Sequence, residues 1–146
     1  MSSEIFARAQ QSVASGDYTS AKLDYENLID YEAENSAAWY GLGVANYALG
    51  DAEAAIVSFE RAFSINRFHA PTAANLAFLF SQRDMALAAK YANSAIDLGL
   101  SNEELLSLAE LTEISTDDVE EETPIISAEA VDDESEIVDI IAEISR

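Results

Sequence analysis

Residues Ser36–His69 read SAAWYGLGVANYALGDAEAAIVSFERAFSINRFH, and the spacing of apolar side chains in this stretch decides the fold. Trp39, Leu42, Gly43, Tyr47 and Leu49 recur so that they line one face of a helix running into Gly50-Asp51. Gly50 takes the left-handed conformation that ends a helix at no steric cost, and Asp51 offers a side-chain cap to the next one. Ala55, Ile56, Phe59, Ala62 and Phe63 then repeat the helical period. The stretch predicts two amphipathic helices and one tight turn. Neither helix buries its stripe alone, and the small residues Gly43, Ala55 and Ala62 mark places of close helix approach.

Moving this unit back by about 34 residues sets Gly16-Asp17 on Gly50-Asp51, Ala21 on Ala55, Tyr25 on Phe59 and Leu28 on Ala62. Ala9 then falls on Gly43 and Ile5 on Trp39, giving a copy over about residues 2–35. Moving it forward sets Leu76 and Ala77 on Leu42 and Gly43. With one residue deleted at the turn before it, Asp84 falls on Asp51, and Ala88, Ala95 and Leu98 then follow in register. This third copy, about residues 70–98, lacks the turn glycine and has Ala73 for Trp39 and Ala92 for Phe59; Pro71 stands at its helix start. Ser101-Asn102-Glu103-Glu104 reads as a capping box. The helix it opens, about residues 102–111, carries Leu105, Leu108, Ala109 and Leu111 on one side and covers the last apolar face.

The spacing of Trp39, Leu42, Gly43, Ala55, Phe59 and Ala62 resembles a tetratricopeptide repeat. The aromatic that usually follows Leu-Gly falls one residue late, at Tyr47 with Asn46 in its place, and Arg67 stands where the family often has proline. The resemblance covers roughly residues 2–111. It implies an all-α fold, a right-handed α-solenoid of helix-turn-helix pairs with a C-terminal capping helix.

Composition bounds the function. The 146 residues hold 28 acidic and 7 basic side chains, a formal net charge of −21. That balance argues against direct nucleic-acid binding, which needs Lys/Arg clusters. The opening MSSEIFAR has neither the basic start nor the apolar core of a signal peptide, and the longest aliphatic-aromatic run, Leu76–Phe80, is too short to span a bilayer. These features predict a cytoplasmic protein without membrane insertion. No cysteine is present, so disulfides, thiolate metal sites and cysteine nucleophiles are excluded. His69 is the sole histidine and reads as a packing or surface residue. No metal-ligand spacing, phosphate loop or nucleophile elbow occurs, so the expectation is no cofactor, no metal and no enzymatic activity.

After Leu111 the composition shifts. Residues 112–146 carry 13 acidic side chains and one basic one. Residues 112–136 hold Pro124 and the run Glu120-Glu121-Glu122, the pattern of a solvated, disordered linker. Over residues 137–146 a short amphipathic helix is expected, with Ile137, Ile140, Ile141 and Ile144 as its stripe. It is marginal in water unless the stripe docks.

In tetratricopeptide repeats the first helix of each pair lines a concave groove that binds peptides or helices. By register, the resemblance implies groove positions at Phe6, Gln10 and Val13, then Tyr40, Val44 and Tyr47, then Ala74, Asn75 and Phe78. The Lys/Asn/Arg clamp of family members that grip acidic C-terminal peptides would fall on Phe6, Gln10, Gly41, Pro71 and Asn75. The cations are missing, so that ligand is rejected. The groove instead suits an apolar helix or extended segment of another protein, and the terminal isoleucine stripe is a candidate occupant in cis. The alternative is an acidic chaperone or nucleic-acid mimic that binds a basic protein through residues 112–136. End-to-end pairing of such solenoids leaves self-association open.

Overall fold

The computed structural model describes residues 2–114. Among the described residues the chain forms seven helices: α1 (Ser2–Ser15), α2 (Tyr18–Tyr31), α3 (Ser36–Ala48), α4 (Ala52–Ile65), α5 (Ala70–Phe80), α6 (Met85–Asp97) and α7 (Glu103–Ile114). They belong to two compact units divided after Arg67. In the first, α1 packs on α2, α2 on α3 and α3 on α4, and α1 also touches α3. In the second, α5 packs on α6 and α6 on α7, and α5 also touches α7. None of the described helices is long and apolar enough to cross a membrane.

The turns follow from local chemistry. Gly50 has φ +91°, and its N–H donates to the Tyr47 carbonyl at 3.0 Å while that of Asp51 reaches the Asn46 carbonyl at 2.9 Å. This crossed pair satisfies the last carbonyls of α3. Gly16 and Asp17 repeat it at 3.0 and 2.8 Å on Val13 and Ser12. The aspartates then cap the following helices, Asp51 accepting from the Ala54 N–H at 3.0 Å and Asp17 from that of Ser20 at 3.2 Å. The third pair has no glycine here. Ser81 stays right-handed (φ −59°, ψ −21°), the Asp84 N–H donates to the Phe80 carbonyl at 2.8 Å, and the Asp84 carboxylate accepts from the Leu87 N–H at 3.1 Å. Helix α5 has 11 residues against 13 for α3. The residue missing from the third copy is thus lost from the helix and not, as expected, from the turn, which is longer.

Helix α7 differs from the sequence expectation at both ends. Its cap is Asn102, whose Oδ1 accepts from the Leu105 N–H at 2.9 Å, and not a box built on Ser101. Asn102 is buried and Ser101 exposed, so the buried amide is the group that needs a partner. The helix also continues past Leu111 to Ile114, into the segment expected as linker. No glycine or proline interrupts the chain between Gly99 and Pro124, so nothing local stops it at Leu111. The rest of the expected acidic linker and the expected helix over 137–146 lie outside the described residues.

Two close approaches build the first unit. A Cβ on Gly43 would stand 2.6 Å from the Phe59 ring, and one on Gly41 would overlap the Tyr25 ring. The missing side chains therefore let α3 lie directly on aromatics of α2 and α4. Tyr25 joins Ala9, Ala21, Leu28, Ala38, Leu42 and Ala45 in one buried cluster, with Ile5, Phe6, Val13, Ile29 and Trp39 packed around it. Asn46, standing where the family usually has an aromatic, is buried; its amide donates to Ser58 Oγ at 3.4 Å and its Oδ1 accepts nothing. In the second unit the buried residues of α5 and α6 are mostly alanine: Ala73, Ala74, Ala77, Ala88, Ala89, Ala92 and Ala95. The larger buried side chains there are Leu76, Leu79, Leu105 and Leu108.

Candidate functional site

In the first unit the predicted groove positions stand on α1 and α3, two helices in contact with each other. On α1, the Phe6 ring meets Tyr25 edge-on, with centroids 6.0 Å apart and planes at 74°. Val13 is half-buried against the same cluster, and Gln10 between them is exposed. On α3, the Tyr40 ring lies 5.3 Å from that of Phe59, Tyr47 is half-buried, and Val44 is buried. The second helix of each pair thus supplies a buried aromatic, Tyr25 or Phe59. Each props an aromatic of the first helix from behind, a contact worth about 1 kcal/mol beyond its area. None of these six positions carries charge. Burial, and then the Asp24 carboxylate, push the Tyr25 phenol up to about 12.

On α5 in the second unit, Ala74 and Asn75 are fully buried and Phe78 is half-buried. His69 precedes this helix as its N-cap residue. Its Nδ1 lies 2.7 Å from the buried Thr72 Oγ1, and burial pushes the imidazole below its ordinary range. It therefore serves the start of α5. Among the described residues no group of three or more His, Cys, Asp or Glu stands together to hold a metal ion. Of the predicted site residues, Ile137, Ile140, Ile141 and Ile144 lie outside the described part.

Two polar assemblies fix the geometry of the first unit, and neither follows from the apolar pattern of the sequence. Arg8 grips Asp24 through Nε at 2.9 Å and Nη2 at 2.7 Å, tying α1 to α2. The hydrogen bond from that guanidinium lowers the Asp24 carboxyl below its usual range against the opposing effect of burial. Trp39 donates from Nε1 to the Ala33 carbonyl at 2.9 Å, pinning the connection between α2 and α3. Arg61 covers the indole, 5.9 Å from its centre, and binds Glu34 at 2.9 Å. The partners lie 16 and 27 residues apart, so only the packing register of the helices brings them together. The sole signal in the sequence was the scarcity of basic residues.

Comparison with known proteins agrees with the geometry. The tetratricopeptide repeat model matches residues 6–66. No curated protein matches the sequence. Among solved structures, the Yersinia enterocolitica type III secretion translocator chaperone SycD superposes with a TM-score of 0.66 at 20% identity, over 76% of this chain and 80% of that one. SycD from the same organism in complex with a peptide of the translocator YopD gives 0.64 at 18% identity, over 98% and 91%. At such identities the likeness is one of fold. Helix pairs closed by the glycine-aspartate turn, a first helix seated on an aromatic of the second, and the match over 6–66 together identify residues 6–66 as tetratricopeptide repeats.

Proposed function

We propose that this protein is a non-enzymatic adaptor of the chaperone kind, which holds an apolar helical or extended segment of another protein against the first helices of its repeats. The observation that carries this reading is the uncharged face of α1 and α3. There Phe6, Val13, Tyr40 and Tyr47 are half-buried and Gln10 is exposed, and Phe6 and Tyr40 rest on the buried rings of Tyr25 and Phe59. Rigid aromatics lose little entropy on contact and present both an apolar ring and a polar edge, which suits a peptide with alternating apolar anchors. On α5, Phe78 is proposed to serve the same role. The SycD structure with a translocator peptide supports the reading by analogy of fold.

The absence of cysteine makes the test direct. The full chain carrying Gln10→Cys with an environment-sensitive fluorophore is screened against synthetic amphipathic peptides with hydrophobic anchors. Binding is expected to shift the emission of this α1 label to the blue and to lose about tenfold or more in affinity with Tyr47→Ser, the loss of one aromatic anchor. A label at Leu23→Cys, exposed on α2, should stay silent. The acidic alternative predicts the reverse. Its binding would select basic peptides, collapse with added salt and ignore Tyr40→Ser and Tyr47→Ser.

A further inference from the structure

We propose that the α1/α3 face is the docking site of the chain's own C-terminal stripe, Ile137, Ile140, Ile141 and Ile144, so that a partner binds by displacing it. This rests on the reading of that face as a peptide-binding surface, and it adds how the surface is regulated.

Three observations support the choice of occupant. The stripe places four branched aliphatics at the i, i+3, i+4, i+7 spacing of one helical face, inside a segment otherwise dominated by carboxylates. A ten-residue helix is too short to persist in water unaided, so helix in this stretch would form only against a surface that seats its stripe. The α1/α3 face is of matching chemistry, uncharged and aromatic, and the exposed Leu49 at the end of α3 adjoins Tyr47 in sequence; the other large apolar side chains exposed in the first unit, Leu23, Tyr31 and Val57, are on α2 and α4. The tether is also long. The 22 residues from Ser115 to Glu136 reach about 75 Å when extended, several times the roughly 20 Å length of a 14-residue helix. A tether of this kind holds its end at roughly millimolar effective concentration, which favours the chain's own stripe over that of a second copy. Like charge on body and tail opposes the contact, so it is apolar in origin and strengthens as salt screens the repulsion.

The test uses the full chain labelled at Gln10→Cys, with and without Ile140→Asp and Ile141→Asp. The double substitution should move the emission of the α1 label to the red and leave the Leu23→Cys label unchanged. A synthetic peptide of residues 135–146 added to that variant should restore the original emission, and the same peptide with both aspartates should not. A stripe docked nine-tenths of the time weakens the apparent affinity for any competing apolar peptide about tenfold, so the variant should bind such a peptide correspondingly tighter. Added salt should raise the docked fraction, and the signal should not depend on protein concentration. An emission blind to the double substitution, in a chain that still binds apolar peptides, overturns the proposal and leaves the adaptor reading standing. A signal that vanishes on dilution assigns the stripe to a second copy and overturns docking in cis. If neither the stripe nor any apolar peptide moves the emission of the α1 label, the adaptor reading itself fails.

Discussion

Gly43 and Gly50 are both glycines of the central repeat, and they are needed for different reasons. At Gly43 an added Cβ meets the Phe59 ring at 2.6 Å, and Phe59 is fully buried with no room to swing. In an exposed helix Gly→Ala gains up to about 1 kcal/mol; here overpacking of roughly 1–3 kcal/mol outweighs it. Gly43→Ala is therefore expected to lower the urea midpoint and to weaken the Tyr40 face that rests on the same ring. At Gly50 nothing stands within 4 Å, but φ is +91°, so Gly50→Ala should cost about 1 kcal/mol through the backbone alone. Both glycines were legible in the sequence, Gly50 from its place between two periodic stretches and Gly43 from its register. Gly41 was not read this way, because its need appears only once Tyr25 is seen beneath it.

At the scale of the element, the caps and connections carry separable energies. Asn102→Ala removes the acceptor for the buried end of α7 and is expected to cost about 1–2 kcal/mol, while Ser101→Ala should be neutral; thermal unfolding followed by circular dichroism distinguishes them. Sequence alone found this helix start but misplaced its cap by one residue, since neighbouring Ser and Asn are chemically equivalent candidates until burial separates them. Trp39→Phe keeps the ring that packs on the first core and deletes the donor to Ala33. The expected loss is about 1 kcal/mol, with faster hydrogen exchange at the amides of residues 32–36. The helix pairs themselves were readable because a period of 3.6 bounded by Gly-Asp is a local signal. The shortening of α5 was not: the gap was assigned to the turn, because a missing turn glycine is a local signal and a shortened helix is not.

For the whole molecule, pH acts on the two units at separate points. Burial lowers the His69 imidazole, so below about 6.5 the unfolded chain takes up a proton that the folded one resists. That contribution is intact above pH 6.5 and is lost as pH falls through the folded value. The Arg8 hydrogen bond lowers Asp24, so its contribution is intact above the ordinary carboxylate range near 3.8 and is lost only in stronger acid. Between pH 7.5 and 5.5 the urea midpoint should decline, and His69→Asn, which removes the titrating ring and suits an N-cap position, should flatten that decline; a slope unchanged by the substitution would show that His69 does not cause it. The single tryptophan, Trp39, lies in the first unit, and its fluorescence should respond in the lower pH range. The division into two units was not readable from composition, but the weakness of the third repeat was, since alanine replaces its aromatic and its tryptophan. That replacement has an experimental consequence. Seven buried positions on α5 and α6 are already alanine, so an alanine scan falls silent where this unit is most closely packed. A saturation survey of the same seven positions should show an inverted tolerance profile, mild for Gly and Ser and severe for Val, Leu or Phe. The unit's vulnerability lies in what is added to it.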